Sequence, residues 1–158
     1  MLAIIQARLA SRRLTRKMLL PINGHPLLWF AWKDCLELFG PANVVIACPA
    51  TDHPSIANAL PYARIHGWSG PETDVLGRLH WAAHLERHDP HDLICRITPD
   101  DFPIDPLRER CTLGWLDEQQ MIVPEGHAHR EHVGFLFPRR VEINENDQYE
   151  ALKRRLET

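Results

Sequence analysis

Arg8, Arg12, Arg13, Arg16 and Lys17 fall within ten consecutive positions, with the small Ala10 and the hydroxyl of Ser11 between them. A guanidinium bridges two phosphate oxygens and a lysine ammonium acts as a mobile point charge, so the natural target of this density is a polyphosphate. Taken alone, a charge run also fits a solvated basic turn or an arm that touches nucleic acid. Two later segments, Ser69-Gly-Pro-Glu-Thr-Asp-Val-Leu-Gly-Arg78 and Arg96-Ile-Thr-Pro-Asp-Asp-Phe-Pro-Ile-Asp-Pro106, complete an ordered trio and narrow that choice. A further cluster, Gly126-His-Ala-His-Arg-Glu-His132, brings His127, His129 and His132 close together. With no nearby Cys and no helical i, i+4 pair, it is a poor zinc signature.

These residues need elements to position them. The first basic segment follows a short apolar run at 2–6 that reads as a strand. Buried in a parallel sheet, such a strand delivers the loop after it to the carboxyl edge, where open α/β folds bind ligands. Apolar residues at helical spacing over 26–39 and a second apolar run at 44–48 complete a βαβ unit. The pattern continues with a short helix over 55–60, a short strand at 63–66, an amphipathic helix over 73–87 and a fourth strand at 93–98. Beyond Pro106 it predicts a helix near 107–117, strands at 121–124 and 141–143, and a closing helix over 147–157. No repeat, low-complexity tract or flexible linker divides the chain, which reads as one domain over 1–158.

The ordered trio resembles the cytidylyltransferases that activate acidic sugars, a family that includes the acylneuraminate and 3-deoxy-manno-octulosonate cytidylyltransferases, and in particular its spore-coat polysaccharide branch. That branch opens with Ile-Gln-Ala-Arg, a small residue, Ser, then Arg-Leu-Pro-Gly-Lys and a Leu-Pro-hydrophobic-x-Gly-x-Pro-Leu run. The matching stretch here is Ile5-Gln-Ala-Arg8, Ser11, Arg13-Leu14, Lys17 and Leu20-Pro-Ile-Asn-Gly-His-Pro-Leu-Leu28. Gly70 and Asp74-Val-Leu-Gly-Arg78 match a second block, and Arg96-Ile-Thr98, Asp100 and Ile104-Asp-Pro106 match a third. Arg130-Glu-His-Val133 matches a further short one. Blocks in this order are specific, although each alone is weak.

The resemblance implies a three-layer, Rossmann-like nucleotide-diphospho-sugar transferase fold, α/β with a mostly parallel central sheet. It implies CMP-sugar synthesis from CTP and an acidic sugar with release of pyrophosphate, for a surface polysaccharide or glycoconjugate, and a homodimer as one arrangement. Carried over residue by residue, Gln6, Ala7, Arg8, Ser11, Arg13 and Lys17 face the nucleotide, with Arg13 and Lys17 also catalytic. Ser69, Gly70 and Asp74 shape the nucleoside pocket; Asp74 can also simply cap the helix behind it, and Arg78 can simply pair with a surface carboxylate. Asp100, catalytic by analogy, would hold Mg2+, unless it and Asp101 are turn formers after Pro99. Arg130, Glu131 and His132 fall to the sugar, with His132 orienting or deprotonating the attacking hydroxyl.

Departures from the pattern matter. Arg12 and Arg16 stand where the family loop has a hydroxyl residue and a glycine, and Thr15 replaces its proline. Asn144-Glu-Asn-Asp-Gln148 stands where the family carries a second metal-side Asp, so Glu142 or Glu145 would have to substitute. The family's long insertion before the Arg-Glu-His-Val block shrinks here to 107–129. Together these departures support an alternative of another class, a nucleotide-binding or assembly module without turnover. A nucleotide-sugar glycosyltransferase would want an Asp-x-Asp motif after a strand, which Asp100-Asp101 lacks.

Composition agrees with this class. At 158 residues with a net charge of -3, the chain can bury a real core and is no general nucleic-acid binder. Met1 leads into the first strand without a charged leader, and no apolar stretch approaches the length of a membrane span. Cys35, Cys48, Cys95 and Cys111 are widely spaced without Cys-x-x-Cys pairing, as expected of reduced thiols in a cytoplasmic protein.

Overall fold

Apolar, β-branched runs that alternate with amphipathic helices fold by burying both faces of a sheet, and this chain does so. A computed structural model describes residues 2–11, 14–89, 94–99, 101–102, 111–114, 133–138, 141–142, 149–150, 153–154 and 157. The elements in chain order are β1 (Leu2–Gln6), a 3-10 turn (Lys17–Leu19), β2 (Pro21–Ile22), β3 (His25–Pro26), α1 (Leu27–Phe39), a second 3-10 turn (Pro41–Asn43) and β4 (Val44–Pro49). There follow α2 (His53–Ala59), β5 (Ile65–Trp68), α3 (Val75–Leu85), β6 (Ile94–Ile97), β7 (Asp101–Phe102), β8 (Cys111–Gly114), β9 (Val133–Pro138) and β10 (Val141–Glu142). Helical backbone recurs at 149–150, 153–154 and 157.

The main sheet has the order β5-β4-β1-β6-β9-β8. Every neighbouring pair is parallel except β8 with β9. Ala3, Ile5, Ile46, Cys48, Cys95 and Ile97 pack on one face with Leu27, Leu28 and Cys35 of α1 and Ile56 of α2. Leu2, Ile4, Val45, Ala47 and Ile94 pack on the other against Leu76, Leu79, Ala82 and Ala83 of α3. This is the three-layer arrangement expected, and burial on both sides explains why the central strands are continuously apolar.

Strand β1 lies between β4 and β6, so the chain leaves it in one direction through α1 and later returns on its other side. The carboxyl ends of β1 and β6 therefore border a topological switch point, the crevice where open sheets of this type take ligands.

Differences from the sequence-based expectations have physical causes. The helix expected near 107–117 is corrected by β8, whose residues pair with β9 from Cys111↔Pro138 to Gly114↔Phe135. Long-range pairing at the sheet edge outweighs a local helical spacing there. The third strand is Ile65–Trp68, slightly later than expected, because its register on β4 runs from Ile46↔Ile65 to Pro49↔Trp68. Neither β9 nor the β2–β3 hairpin was expected. The hairpin turns at Asn23 and Gly24, both at positive φ (52° and 77°), the pattern of an Asn-Gly type I′ turn. In the closing segment the described residues 149–150, 153–154 and 157 are helical, as the expected helix requires of them, and Tyr149 is buried with its hydroxyl donating to the Pro21 carbonyl. The strand expected at 121–124 lies outside the described residues.

Cys35, Cys48 and Cys95 are buried, and none of them is in a disulfide among the described residues. No helix among the described residues is long and apolar enough to cross a membrane.

Candidate functional site

The loop after β1 has a defined shape set by three contacts. The Ala7 N–H still donates to the Ala47 carbonyl (2.9 Å), so the strand register continues one residue past Gln6. The Leu9 N–H then donates to Oδ2 of Asp52 (2.9 Å), which tethers the loop to the turn after β4. The Arg16 N–H donates to the Leu9 carbonyl (3.3 Å) and closes the loop on itself. Asp52 was legible in the sequence only as part of a turn; its role as the tether comes from the parallel pairing of β1 with β4.

Arg16 has φ 53° and ψ 32°, in the left-handed region. This is the position where the resembling family carries glycine, the residue that adopts this conformation without a steric cost. A cation thus stands at a left-handed position. Oγ of Ser11 accepts from the Leu14 N–H (3.3 Å), which leaves the hydroxyl proton to donate elsewhere. Lys17 opens the first 3-10 turn and is 9% exposed. Arg8 is exposed, and its Nη1 lies 3.4 Å from Oε1 of Glu72, joining the first loop to the loop after β5.

That second loop is built around Trp68. A β-carbon at Gly70 would collide with the Trp68 ring, whose Nε1 donates to the Pro71 carbonyl (3.2 Å). Gly70 therefore lets the indole fold across the loop. Ser69 is exposed. Asp74 caps α3 by accepting from the Gly77 N–H (2.8 Å), and a β-carbon at Gly77 would strike the same carboxylate.

Arg78 corrects its surface-pair reading. It is 1% exposed, and its Nη1 donates to the main-chain carbonyl of Glu72 (3.1 Å). No carboxylate among the described residues pairs with it. Burial holds the guanidinium below its ordinary pKa; Cys48 and Glu72 act against that trend, while Arg8 and Arg96 add to it. Gln6, the last residue of β1, carries a buried Oε1 with no hydrogen-bond partner among the described residues.

Thus Gln6, Ala7, Arg8, Ser11, Lys17, Ser69, Gly70 and Asp74 are gathered at or beside the carboxyl edge of β1, β4 and β5. Arg12, Arg13, Asp100, Arg130, Glu131, His132, Asn144 and Glu145 lie outside the described residues, as do His127 and His129. The backbone beside Asp100 is described: β7 pairs with β10 so that Asp101 is opposite Glu142. Among the residues whose side chains are described, no group of three or more His, Cys, Asp or Glu is arranged to hold a metal ion.

Cys48 lies at the floor of this edge, with its thiol pushed up to about 12 by burial, reinforced by Asp52 and partly offset by Arg78. A thiol whose folded pKa is raised keeps its proton in the native state, so its effect on stability is flat below pH 9.0 and becomes a loss as pH rises from there toward 12. Native Cys48 should resist iodoacetamide at pH 8.5 over times in which the denatured chain is fully alkylated, as peptide mass spectrometry would show. Rapid native labelling would mean that the thiol is neither buried nor protonated.

Comparison with known proteins bears on the family and the fold. A family model described as cytidylyltransferase matches residues 2–106. The 3-deoxy-manno-octulosonate cytidylyltransferase of Haemophilus ducreyi is 47% identical over 53 residues, 34% of this chain and 19% of that protein. The Chlorobium limicola protein of the same name is 44% identical over 57 residues, 36% of this chain and 22% of that protein. Among solved structures, a CMP:2-keto-3-deoxy-manno-octonic acid synthetase complexed with CTP superposes with TM-score 0.57 at 24% identity, covering 68% of this chain and 43% of that one. A cytidylyltransferase from Leptospira borgpetersenii superposes with TM-score 0.53 at 26% identity, covering 67% and 42%. The matched segments span only 19% and 22% of the two curated relatives. The family match takes in the loops after β1, β4 and β5 and the end of β6, and on it the chain belongs to the cytidylyltransferase family.

Proposed function

We propose that this chain is a Mg2+-dependent cytidylyltransferase that joins CMP from CTP to an acidic sugar and releases pyrophosphate. The observation that carries this reading is the closed first loop, tethered by Asp52 and shut by Arg16 and Leu9, which sets Arg8 and Lys17 beside the switch point. In the reaction a sugar hydroxyl oxygen attacks the α-phosphorus of CTP, the bond from that phosphorus to the bridging oxygen breaks, and pyrophosphate departs with the electron pair. Arg8, Arg13 and Lys17 neutralise the triphosphate, and Ser11 donates its hydroxyl proton to a phosphate oxygen. Asp100, with Glu142 as the substitute for a second acid, would hold Mg2+, which when bound supplies positive charge against the phosphates. Gln6, Ala7, Ser69, Gly70 and Asp74 form the nucleoside side of the site. Arg130 and Glu131 bind the sugar, and His132 orients its hydroxyl or accepts its proton.

The names of the two curated relatives make 3-deoxy-manno-octulosonate the first sugar to try. The short span 107–129 favours a smaller sugar pocket within a single domain. Arg16 in place of glycine and Asn144 in place of an acid support the second reading, a nucleotide-binding module without turnover.

Thermal unfolding with each nucleoside triphosphate and Mg2+, followed by a pyrophosphate-release assay with acidic sugars, separates the readings. A ligand at a hundredfold excess over its dissociation constant should add about 2.7 kcal/mol of stability. CTP should stabilise the protein most, and pyrophosphate should appear when the right sugar is added. Stabilisation without release under any acidic sugar would favour the binding module, and indifference to every nucleotide would reject both.

A further inference from the structure

We propose that Arg78 is the floor of the phosphate site, its buried guanidinium taking the phosphate nearest the nucleoside while the first-loop cations take the outer ones. This rests on the nucleotide reading above. The assignment begins with a side chain that its surroundings do not explain. Arg78 lies one turn into α3, 1% exposed, with a single side-chain hydrogen bond among the described residues, Nη1 to the Glu72 carbonyl. Its Nε is buried and has no hydrogen-bond partner among the described residues. A buried cation is kept by a protein when something pairs with it, because desolvation otherwise outweighs any local gain.

The described groups around it offer no such compensation. Cys48 has its thiol pushed up to about 12, so it is neutral near pH 7. The Glu72 carboxylate is engaged at 3.4 Å with Arg8. Arg8 and Arg96 are themselves cations whose charge acts against that of Arg78. These neighbours also locate the guanidinium, because they come from the end of β4, the first loop, the loop after β5 and the strand β6. Arg78 therefore underlies the place where those segments converge, beside the switch point.

Gln6 points to the same ligand class. Alternation along β1 puts it on the sheet face of Leu2 and Ile4, the face that α3 covers, and its Oε1 is a buried acceptor without a partner among the described residues. An unmet donor on Arg78 and an unmet acceptor on Gln6 call for a ligand with both an anionic oxygen and a hydroxyl. A nucleoside phosphate has both. The anion is assigned to Arg78 because a neutral base carbonyl would leave the buried charge uncompensated.

The test uses Arg78→Met and Arg78→Lys in the full chain, with calorimetric titration of cytidine, CMP and CTP and thermal unfolding without ligand. Arg78→Met should weaken CMP and CTP by a similar factor, roughly 10- to 100-fold, while cytidine affinity changes by less than about twofold. It should also raise the unfolding temperature of the ligand-free protein, since an uncompensated buried charge is removed. Arg78→Lys should keep part of the phosphate affinity, and it carries the test if the Met variant does not fold. Unchanged CMP affinity in a folded variant, or an equal loss for cytidine, would overturn the assignment while the wild-type protein still binds CTP. A wild-type protein that binds no nucleotide would instead remove the underlying reading.

Discussion

Asp100→Asn should reduce turnover roughly 10²- to 10³-fold and abolish the Mg2+ dependence of CTP binding, with the unfolding temperature of the ligand-free protein unchanged or raised. A carboxylate offers Mg2+ a full negative charge and Asn only a neutral carbonyl, so the exchange weakens the cation site while nearly preserving shape. The ligand-free protein should gain because the charge of an unpaired carboxylate is removed. Calorimetric titration of CTP with and without Mg2+, beside pyrophosphate release, measures both effects. If the ligand-free variant instead unfolds readily, Asp100 is a turn former after Pro99, and the cation is held elsewhere.

Lys17→Ala should weaken CTP binding by about 2 kcal/mol, roughly 30-fold, and CMP binding by less than about threefold. Arg13→Ala should follow the same pattern. The contrast arises from position: Lys17 stands at the far end of the closed loop, past the Arg16 to Leu9 hydrogen bond, whereas Arg78 lies beneath the sheet end. A charge aimed at the outer phosphates is lost only to ligands that carry them. Because Lys17 is 9% exposed, its aliphatic stem also packs, and a modest loss of stability should accompany the substitution. Equal losses for CTP and CMP would show that Lys17 contacts the inner phosphate or merely supports the loop.

The two substitutions and Arg78→Met together resolve the site by ligand length. Lys17 should discriminate CTP from CMP, Arg78 should discriminate CMP from cytidine, and Asp100 should discriminate Mg2+ from its absence. Each comparison contains its own control, since the ligand that lacks the relevant group should be unaffected.

Local chemistry determined much of this protein. The β-branched runs at β1 and β4, the apolar spacing of α1 and α3, and the Asp74 cap are short-range properties, so they were legible along the chain. The crowding of Arg8, Ser11 and Lys17 behind β1 was legible for the same reason. Tertiary structure decided the rest, because the causes lie far apart in sequence. Asp52 tethers Leu9 across 43 positions, and β8 is a strand only because β9 is there to pair with it. Arg78 shows the limit most clearly: at helical spacing from Asp74 it reads as an ordinary surface cation. Its burial appears only when α3 packs on the sheet, because what surrounds a charge depends on every segment that converges on it.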